Sequence, residues 1–196
     1  MGIGELAGVT ARLLDRGLHV LAEKPLALDV ASAAGLVERA AARGRVLAVG
    51  FVERFRALPA SGRRLVARRS GPAGAGAGAI GLDWLVHDVD HALRVLGPGL
   101  WPTAARFEED AVMLRLAAPD GRVARLGASR RAARVRRRIW VDGRWFALAG
   151  GDPLAAQMAA FAEAARGGDA GALARGEDAV AVLRVVEAAL GRRRAA

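Results

Sequence analysis

The chain has 196 residues, of which 53% are hydrophobic and none is cysteine. This length and apolar content suit one or two small globular domains, and the lack of cysteine excludes a disulfide framework and a thiolate metal site. Thirty Lys plus Arg against twenty Asp plus Glu give a formal net charge of +10. One interpretation is that such a charge attracts phosphorylated or nucleotide-linked substrates.

No apolar stretch approaches the length of a membrane-spanning helix, and the N-terminus lacks the hydrophobic region of a signal peptide. We therefore expect a cytoplasmic protein. Arginine runs such as Arg136-Arg137-Arg138 would suit nucleic acid, but the aromatic residues are not interleaved with them and there is no Tyr. Basic charge alone gives only non-specific affinity, so nucleic acid binding is not expected. The alternative is a solvated, arginine-rich strand face.

Helical and strand patterns alternate over the first fifty residues. Helices are predicted over residues 5–16 and 29–43, the second with Asp29 as its N-cap. Buried strands are predicted over residues 18–22 and 46–50. This alternation is the repeating unit of a doubly wound sheet.

The predicted strand at residues 18–22 is expected to pair with the strand at 46–50 on one side only. Its other edge would then carry unpaired N–H and C=O groups. We therefore expect fast hydrogen exchange at the amides of Val20 and Ala22. An edge of this kind would also promote association with another chain.

Lys24 is the only lysine of the chain and stands in Glu23-Lys24-Pro25, just past the first predicted strand. An amine changes its pKa when buried, whereas a guanidinium stays charged, so a chain that uses arginine elsewhere keeps lysine where only an amine works. Chance retention of one lysine is the alternative. In doubly wound sheets ligands bind beyond the carboxyl ends of the strands, where Lys24 and residues 50–55 both fall.

The second half of the chain has a different pattern. A helix is predicted over residues 80–96, and strand-like segments follow, separated by turns such as Asp142-Gly143. The predicted strands cover residues 103–108, 111–117, 123–129, 134–141 and 144–148, and two closing helices cover residues 153–166 and 177–191. The short turns between successive strands predict an antiparallel meander.

We therefore expect an α/β plus α+β fold in three parts. Residues 1–58 would form the C-terminal part of a Rossmann-type doubly wound sheet. Residues 59–150 would form an antiparallel-sheet α+β domain that serves substrate binding or oligomerisation. Residues 151–196 would form helices that pack back on these domains.

Asp83 and His87 are four residues apart in the predicted helix and therefore share a face. A histidine beside a carboxylate has its tautomer and orientation fixed, as a general base requires. An ordinary pair on a helix surface is the alternative. His87 and His91 also have the spacing of two metal ligands, but zinc needs a third protein ligand. The only other histidine, His19, opens a strand and is expected to pack or cap there, so no metal site is expected.

Four motifs occur in an order that resembles the Gfo/Idh/MocA oxidoreductases. They are Glu23-Lys24-Pro25 after a strand, a Val-Gly-x-x-x-Arg-Phe segment at residues 49–55, an Asp-x-x-x-His helix at residues 83–87, and Gly151-Asp152-Pro153-Leu154 before a helix. The resemblance runs from about residue 5 to the C-terminal helix. In addition, Arg69-Ser70-Gly71-Pro72 resembles a subgroup related to nucleotide-sugar 3-dehydrogenases.

The resemblance implies hydride transfer between NAD or NADP and a carbon that bears a hydroxyl in a sugar, polyol or nucleotide sugar. His87 would take the hydroxyl proton, and Lys24 would hydrogen-bond the same oxygen. Asp83 would orient these two side chains. General-base catalysis and a preorganised donor each contribute about 10²-fold or more, so both residues are expected to matter.

The resemblance also implies a cofactor-binding group. Glu23 would position Lys24 and the nicotinamide ribose, Pro25 would shape the turn through a peptide bond that could be cis, and Arg54 would lie near the cofactor.

In a complete family member, a strand, a Gly-x-Gly-x-x-Gly turn and a helix hold the cofactor phosphates. Here Gly2-Ile3-Gly4 has no strand before it, and the glycines from Gly71 to Gly78 lie far past both predicted nucleotide-domain strands. We therefore expect the chain to be an N-terminally truncated member that on its own binds NAD or NADP weakly or not at all.

Two functional hypotheses follow. The first is an NAD(P)-dependent sugar oxidoreductase, incomplete as written. The second is a non-catalytic remnant that acts as a binding or assembly subunit. We expect a homo-oligomer, formed in this family commonly through the open sheet face of the second domain, or a partner that supplies the N-terminal half.

Overall fold

The computed structural model describes residues 3–72, 84–148 and 151–194. It divides into two compact units, one formed by Met1–Arg56 with Gly150–Leu183 and the other by Ala57–Ala149 with Arg184–Ala196. Within the described ranges, no helix is both long and apolar enough to cross a membrane.

The secondary structure elements are named here in chain order. They are α1 (Ile3–Asp15), β1 (Val20–Ala22), α2 (Val30–Ala42), β2 (Leu47–Val49), a 3₁₀ helix (Val52–Phe55), β3 (Arg64–Ser70), α3 (Val86–Leu96), β4 (Trp101–Phe107), β5 (Ala111–Ala117), β6 (Val123–Ser129), β7 (Arg136–Val141), β8 (Arg144–Phe146), α4 (Pro153–Ala165) and α5 (Gly176–Arg194).

The first unit confirms the predicted alternation of helices and strands. β1 and β2 pair in parallel, with Val20 opposite Leu47. α1 and α2 pack against each other and contact the strands, and both bury an apolar stripe that includes Leu14 and Leu36. Parallel strands joined by a helix are buried on both faces, which is why β2 is apolar at every position.

The prediction that the amides of Val20 and Ala22 lie on an unpaired edge is wrong. Val20 N–H donates to Val46 O at 2.8 Å, and Ala22 O accepts from Gly50 N–H at 2.8 Å. Backbone groups of successive residues in a strand face opposite edges, so residues two apart face the same edge. Both residues therefore face β2, and the groups of Leu21 face the other edge.

Asp29 caps α2 as predicted. Its carboxylate accepts hydrogen bonds from the backbone N–H of Ser32 at 2.7 Å and from the Ser32 hydroxyl at 2.9 Å. These bonds stabilise the ionised carboxylate at the positive end of the helix, and they lower the pKa of Asp29 below its usual value of 3.8.

We therefore expect Asp29 to titrate below 3.8 in an NMR pH titration. Because the pKa is lower in the folded state, its contribution to stability is present above the unfolded pKa and is lost as the pH falls through the folded pKa. Asp29→Ala should therefore lower the unfolding midpoint at neutral pH, and the difference from the parent should shrink in acid. A difference that persists at low pH would contradict the charged cap.

The second unit contains a six-stranded sheet with strand order β4-β5-β6-β3-β7-β8. β3 is parallel to β6 and antiparallel to β7, and the remaining neighbours are antiparallel. The prediction of a simple meander is therefore wrong, because β3, which precedes the helix, inserts between β6 and β7. The strands predicted after that helix are confirmed.

One face of this sheet is covered by α3, which contacts β3 and β6. Alternate strand residues on this face are buried, among them Leu65, Leu114, Leu126 and Ile139. The intervening residues form the open face. The predicted Asp142-Gly143 turn is confirmed, with φ of 49° and 81° at its two residues, the left-handed pair that a type I′ hairpin turn requires.

Candidate active site

Glu23-Lys24-Pro25 directly follows β1, as predicted. The peptide between Lys24 and Pro25 is cis. Pro25 is buried, as are Leu26 and Ala27 behind it, whereas Lys24 is half-buried and Glu23 is exposed. The apolar residues after the turn therefore anchor it in the core of the first unit, and the two charged side chains stay at its surface.

The carboxyl ends of β1 and β2 lie side by side. Gly50 N–H donates to Ala22 O at 2.8 Å, and Glu23 Oε2 lies 3.2 Å from the position that a Cβ on Gly50 would occupy. Because Gly50 has no side chain, the Glu23 carboxylate can rest against the end of β2. This edge of the sheet is where doubly wound folds bind their ligands.

Arg54 lies in the 3₁₀ helix after β2 and contacts Asp178 and Phe51 within the first unit. Its Nη1 is 3.1 Å from Asp178 Oδ2 at the start of α5, and only 10% of its side chain is exposed. Its guanidinium also lies 5.9 Å from the centre of the Phe51 ring. Asp178 in turn accepts a hydrogen bond from Arg175 N–H at 2.8 Å. The structure thus gives Arg54 a role in holding α5, and its contact with a cofactor stays a prediction.

Residues from the end of the chain complete the sheet beside β2. Val49 N–H donates to Ala174 O at 2.9 Å, and Ala48 forms an antiparallel bridge with Arg175. The buried side chain of Gln157 in α4 lies 3.5 Å from Val49 O. Gln157 was not singled out in the sequence, because its partner Val49 lies 108 residues earlier in the chain.

His87 lies in the first turn of α3 and is buried, with 7% exposure. The next residue, Asp88, pairs with Arg69 of β3 at 3.3 Å, and both side chains are almost fully buried. Asp90 and His91 are also buried. The N-terminal half of α3 is therefore a buried polar segment that an arginine from the sheet helps to neutralise. Asp83, the predicted partner of His87, lies outside the described residues.

His19 has the capping role expected for it, because its Nδ1 accepts a hydrogen bond from Val46 N–H at 3.1 Å at the start of β2. Within the described residues, no group of three or more His, Cys, Asp or Glu side chains is arranged to hold a metal ion.

The structure places the predicted site residues in two groups. Glu23, Lys24, Pro25 and Arg54 belong to the first unit, where the first three share one turn and Arg54 follows the neighbouring strand. His87 belongs to the second unit.

The segment around the Glu23-Lys24-Pro25 turn is similar to a known protein family. The model of an oxidoreductase family with an NAD-binding Rossmann fold, GFO_IDH_MocA, matches residues 7–51, which contain β1, the Glu-Lys-Pro turn and β2. No curated protein sequence matches the chain.

Several solved structures are similar over almost the whole chain. UDP-N-acetylglucosamine 3-dehydrogenase GnnA from Acidithiobacillus ferrooxidans is 24% identical with a TM-score of 0.79, over 95% of this chain and 74% of that one. GenD2 from gentamicin A biosynthesis, in complex with NAD, is 18% identical with a TM-score of 0.81, and the match covers 97% of this chain and 74% of that one. A putative myo-inositol dehydrogenase from Sinorhizobium meliloti 1021 is 19% identical with a TM-score of 0.75, and the match covers 96% of this chain and 76% of that one.

At these identities the structural likeness shows a shared fold, and it extends far beyond the segment that the family model matches. The predicted fold class is therefore confirmed for both units. The family model supports the relationship to the Gfo/Idh/MocA oxidoreductases that the motifs indicated over residues 7–51, and the rest of the chain is similar to the solved structures in its fold.

Proposed function

We propose that this protein is an NAD(P)-dependent oxidoreductase that acts on a hydroxyl group of a sugar, polyol or nucleotide sugar. The observation that carries the proposal is the Glu23-Lys24-Pro25 turn at the paired ends of β1 and β2, inside the segment that the NAD-binding family model matches. The solved structures with the same fold include an NAD complex and dehydrogenases named for a nucleotide sugar and for myo-inositol.

We propose that the first unit holds the nicotinamide end of the cofactor. Gly50 leaves the end of β2 open, and the exposed Glu23 carboxylate rests there, able to accept hydrogen bonds from ribose hydroxyls. Pro25 holds the turn, and Arg54 supports the next segment through Asp178. When bound, the nicotinamide accepts or returns the hydride.

Lys24 is the proposed donor to the substrate oxygen. An ammonium carries three donor hydrogens on a flexible stem, so it can hydrogen-bond an oxygen as negative charge develops there. Its position just beyond a strand end, half-buried, limits its exposure to water. A donor held in place before the reaction stabilises that charge without reorganisation.

His87 is the proposed general base, and Asp83 is proposed to orient it. An imidazole changes its protonation near neutral pH and can therefore take the proton of a hydroxyl while the hydride leaves its carbon. The assignment rests on the Asp-x-x-x-His motif and on the burial of His87 in the first turn of α3.

The proposal is tested with the protein in the full form that its gene encodes. Nicotinamide reduction should be followed by absorbance with sugars, polyols and nucleotide sugars, including UDP-N-acetylglucosamine and myo-inositol. We expect turnover with at least one of these classes and tighter cofactor binding in the presence of its substrate. Absence of NAD(H) and NADP(H) binding by calorimetry would contradict the proposal and favour the non-catalytic binding subunit.

A further inference from the structure

The helix α4 in the first unit buries an amide side chain. Its buried residues are Gln157 and Ala164, and Gln157 is only 2% exposed. Burying an amide costs free energy that must be offset by hydrogen bonds, whereas an apolar side chain of similar size carries no such cost. Gln157 at this place in an alanine-rich helix therefore calls for a role that an apolar residue does not fill.

The amide of Gln157 contacts the carboxyl end of β2. Its Nε2 lies 3.5 Å from Val49 O and is the donor, because a carbonyl oxygen only accepts. Phe51 N–H also donates to Val49 O, at 2.7 Å, and closes a γ-turn centred on Gly50. Val49 O therefore has a hydrogen bond without Gln157. The second donor instead restrains the direction of the carbonyl from which the turn begins.

Gly50 connects this turn with the end of β1. Its N–H donates to the carbonyl oxygen of Ala22, the residue before Glu23, at 2.8 Å. Glu23 Oε2 lies 3.2 Å from the position that a Cβ on Gly50 would occupy. The position of Gly50 therefore affects both the end of β1 and the place where the Glu23 carboxylate rests.

We propose that Gln157 is a positioning residue, which holds the Gly50 turn and through it the Glu23 carboxylate in the geometry that binds the cofactor ribose. Its effect on catalysis rests on the proposed function. Its effect on the turn is a property of the folded first unit alone, since every residue in this series of contacts belongs to that unit. The two effects can therefore be measured separately.

The first test is steady-state kinetics of Gln157→Met in the full form that the gene encodes. Methionine keeps an unbranched side chain and removes the donor. We expect the KM for NAD or NADP to rise about three- to tenfold, as for the loss of one hydrogen bond. The kcat should change less, because Lys24 and His87 are proposed to act on the substrate hydroxyl.

Thr10→Val is the matched control. Thr10 is 1% exposed in α1 of the same unit, so this variant also replaces a buried polar side chain with an apolar one. It should keep the parent KM. The unfolding midpoint of Gln157→Met should stay close to that of the parent, because Val49 O keeps its bond from Phe51 N–H.

Gln157→Glu gives a readout that a space-filling role would not produce. A protonated carboxyl group can donate to Val49 O as the amide does, whereas an ionised one cannot. Burial raises the pKa of a carboxyl group. The KM of Gln157→Glu relative to the parent should therefore be near one in acid and rise as the pH passes through that pKa. The same ratio for Gln157→Met should not depend on pH.

Amide hydrogen exchange tests the turn without any turnover. In Gln157→Met, the Phe51 amide should exchange about threefold faster or more than in the parent. The Val20 amide, bonded to Val46 O at the other end of the strand pair, should be unchanged. Parent-like exchange at Phe51 would overturn the proposal, as would an equal rise in KM in Thr10→Val. If the parent binds neither NAD(H) nor NADP(H) by calorimetry, the proposed function fails, and the exchange at Phe51 alone decides the role of Gln157.

Discussion

Lys24→Arg is expected to remove most of the turnover of the protein in the full form that its gene encodes, by about 10²-fold or more in kcat. The substitution keeps the positive charge, but a guanidinium is larger, planar and always protonated, so it does not fit the place of an ammonium or exchange its proton. Lys24 is half-buried at the end of β1, next to buried Pro25. The larger, planar group would therefore hold its donor hydrogens at a different position from those of the ammonium.

The measurement is steady-state kinetics of nicotinamide reduction together with thermal unfolding. The unfolding midpoint of Lys24→Arg should stay close to that of the parent, because the side chain lies at the surface of the turn. Arg12→Lys on α1 is the matched control, since it exchanges the same two residue types at an exposed position. If Lys24→Arg retained turnover within a few-fold of the parent, the proposed role of Lys24 would be wrong.

Asp88→Ala is expected to lower the free energy of unfolding by about 3–5 kcal/mol. The Asp88 carboxylate and the Arg69 guanidinium are 3.3 Å apart, with only 3% and 4% of their side chains exposed. Removing the carboxylate leaves a guanidinium in the core of the second unit without its ion-pair partner. The penalty for this buried charge exceeds the value of the pair itself.

Urea unfolding of the parent, Asp88→Ala and the double variant Arg69→Met/Asp88→Leu measures this effect. The double variant should recover much of the loss, because it removes both charges together. Glu163→Ala provides an exposed comparison: it breaks a 3.8 Å pair with Arg166 whose side chains are 56% and 73% exposed, and it should cost less than about 1 kcal/mol. A loss below about 1 kcal/mol in Asp88→Ala would show that Arg69 is solvated or paired elsewhere.

The local elements of the first unit could be predicted from the sequence because short-range signals determine them. Asp29 caps α2 through a hydrogen bond to a residue three positions away. The turn at Glu23-Lys24-Pro25 follows β1 because an apolar run ends at a proline. Such signals act over one turn of helix or one strand, and they hold whatever the rest of the chain does.

The position of β3 could not be predicted in the same way. Its sequence alternates only weakly, because the core-facing residues Leu65 and Ala67 are followed by Arg69, which is buried against Asp88. From the sequence alone, an arginine at this position is predicted to lie at the surface, because its buried partner on α3 is not known. The insertion of β3 between β6 and β7 also depends on long-range pairing, which adjacency along the chain does not reveal.

The candidate site also contains residues that local sequence signals identify and residues that only long-range contacts reveal. The motif residues Glu23 and Lys24 could be identified from their neighbours in sequence. Asp178 and Gln157 could not, because each acts on a segment more than one hundred residues earlier, at Arg54 and Val49. Only the folded chain brings these residues together.

The bond from Val49 N–H to Ala174 O has a consequence for synthesis on the ribosome. β2 emerges early, but the strand-like partner on its open side is translated only after every residue from Ala57 to Ala149. Translation proceeds at about 5–20 residues per second, so the edge of β2 remains unpaired for several seconds or more before that partner is synthesised. The nascent first unit is therefore expected to be sensitive to protease and to need chaperone protection until the second unit has been made and the chain has returned.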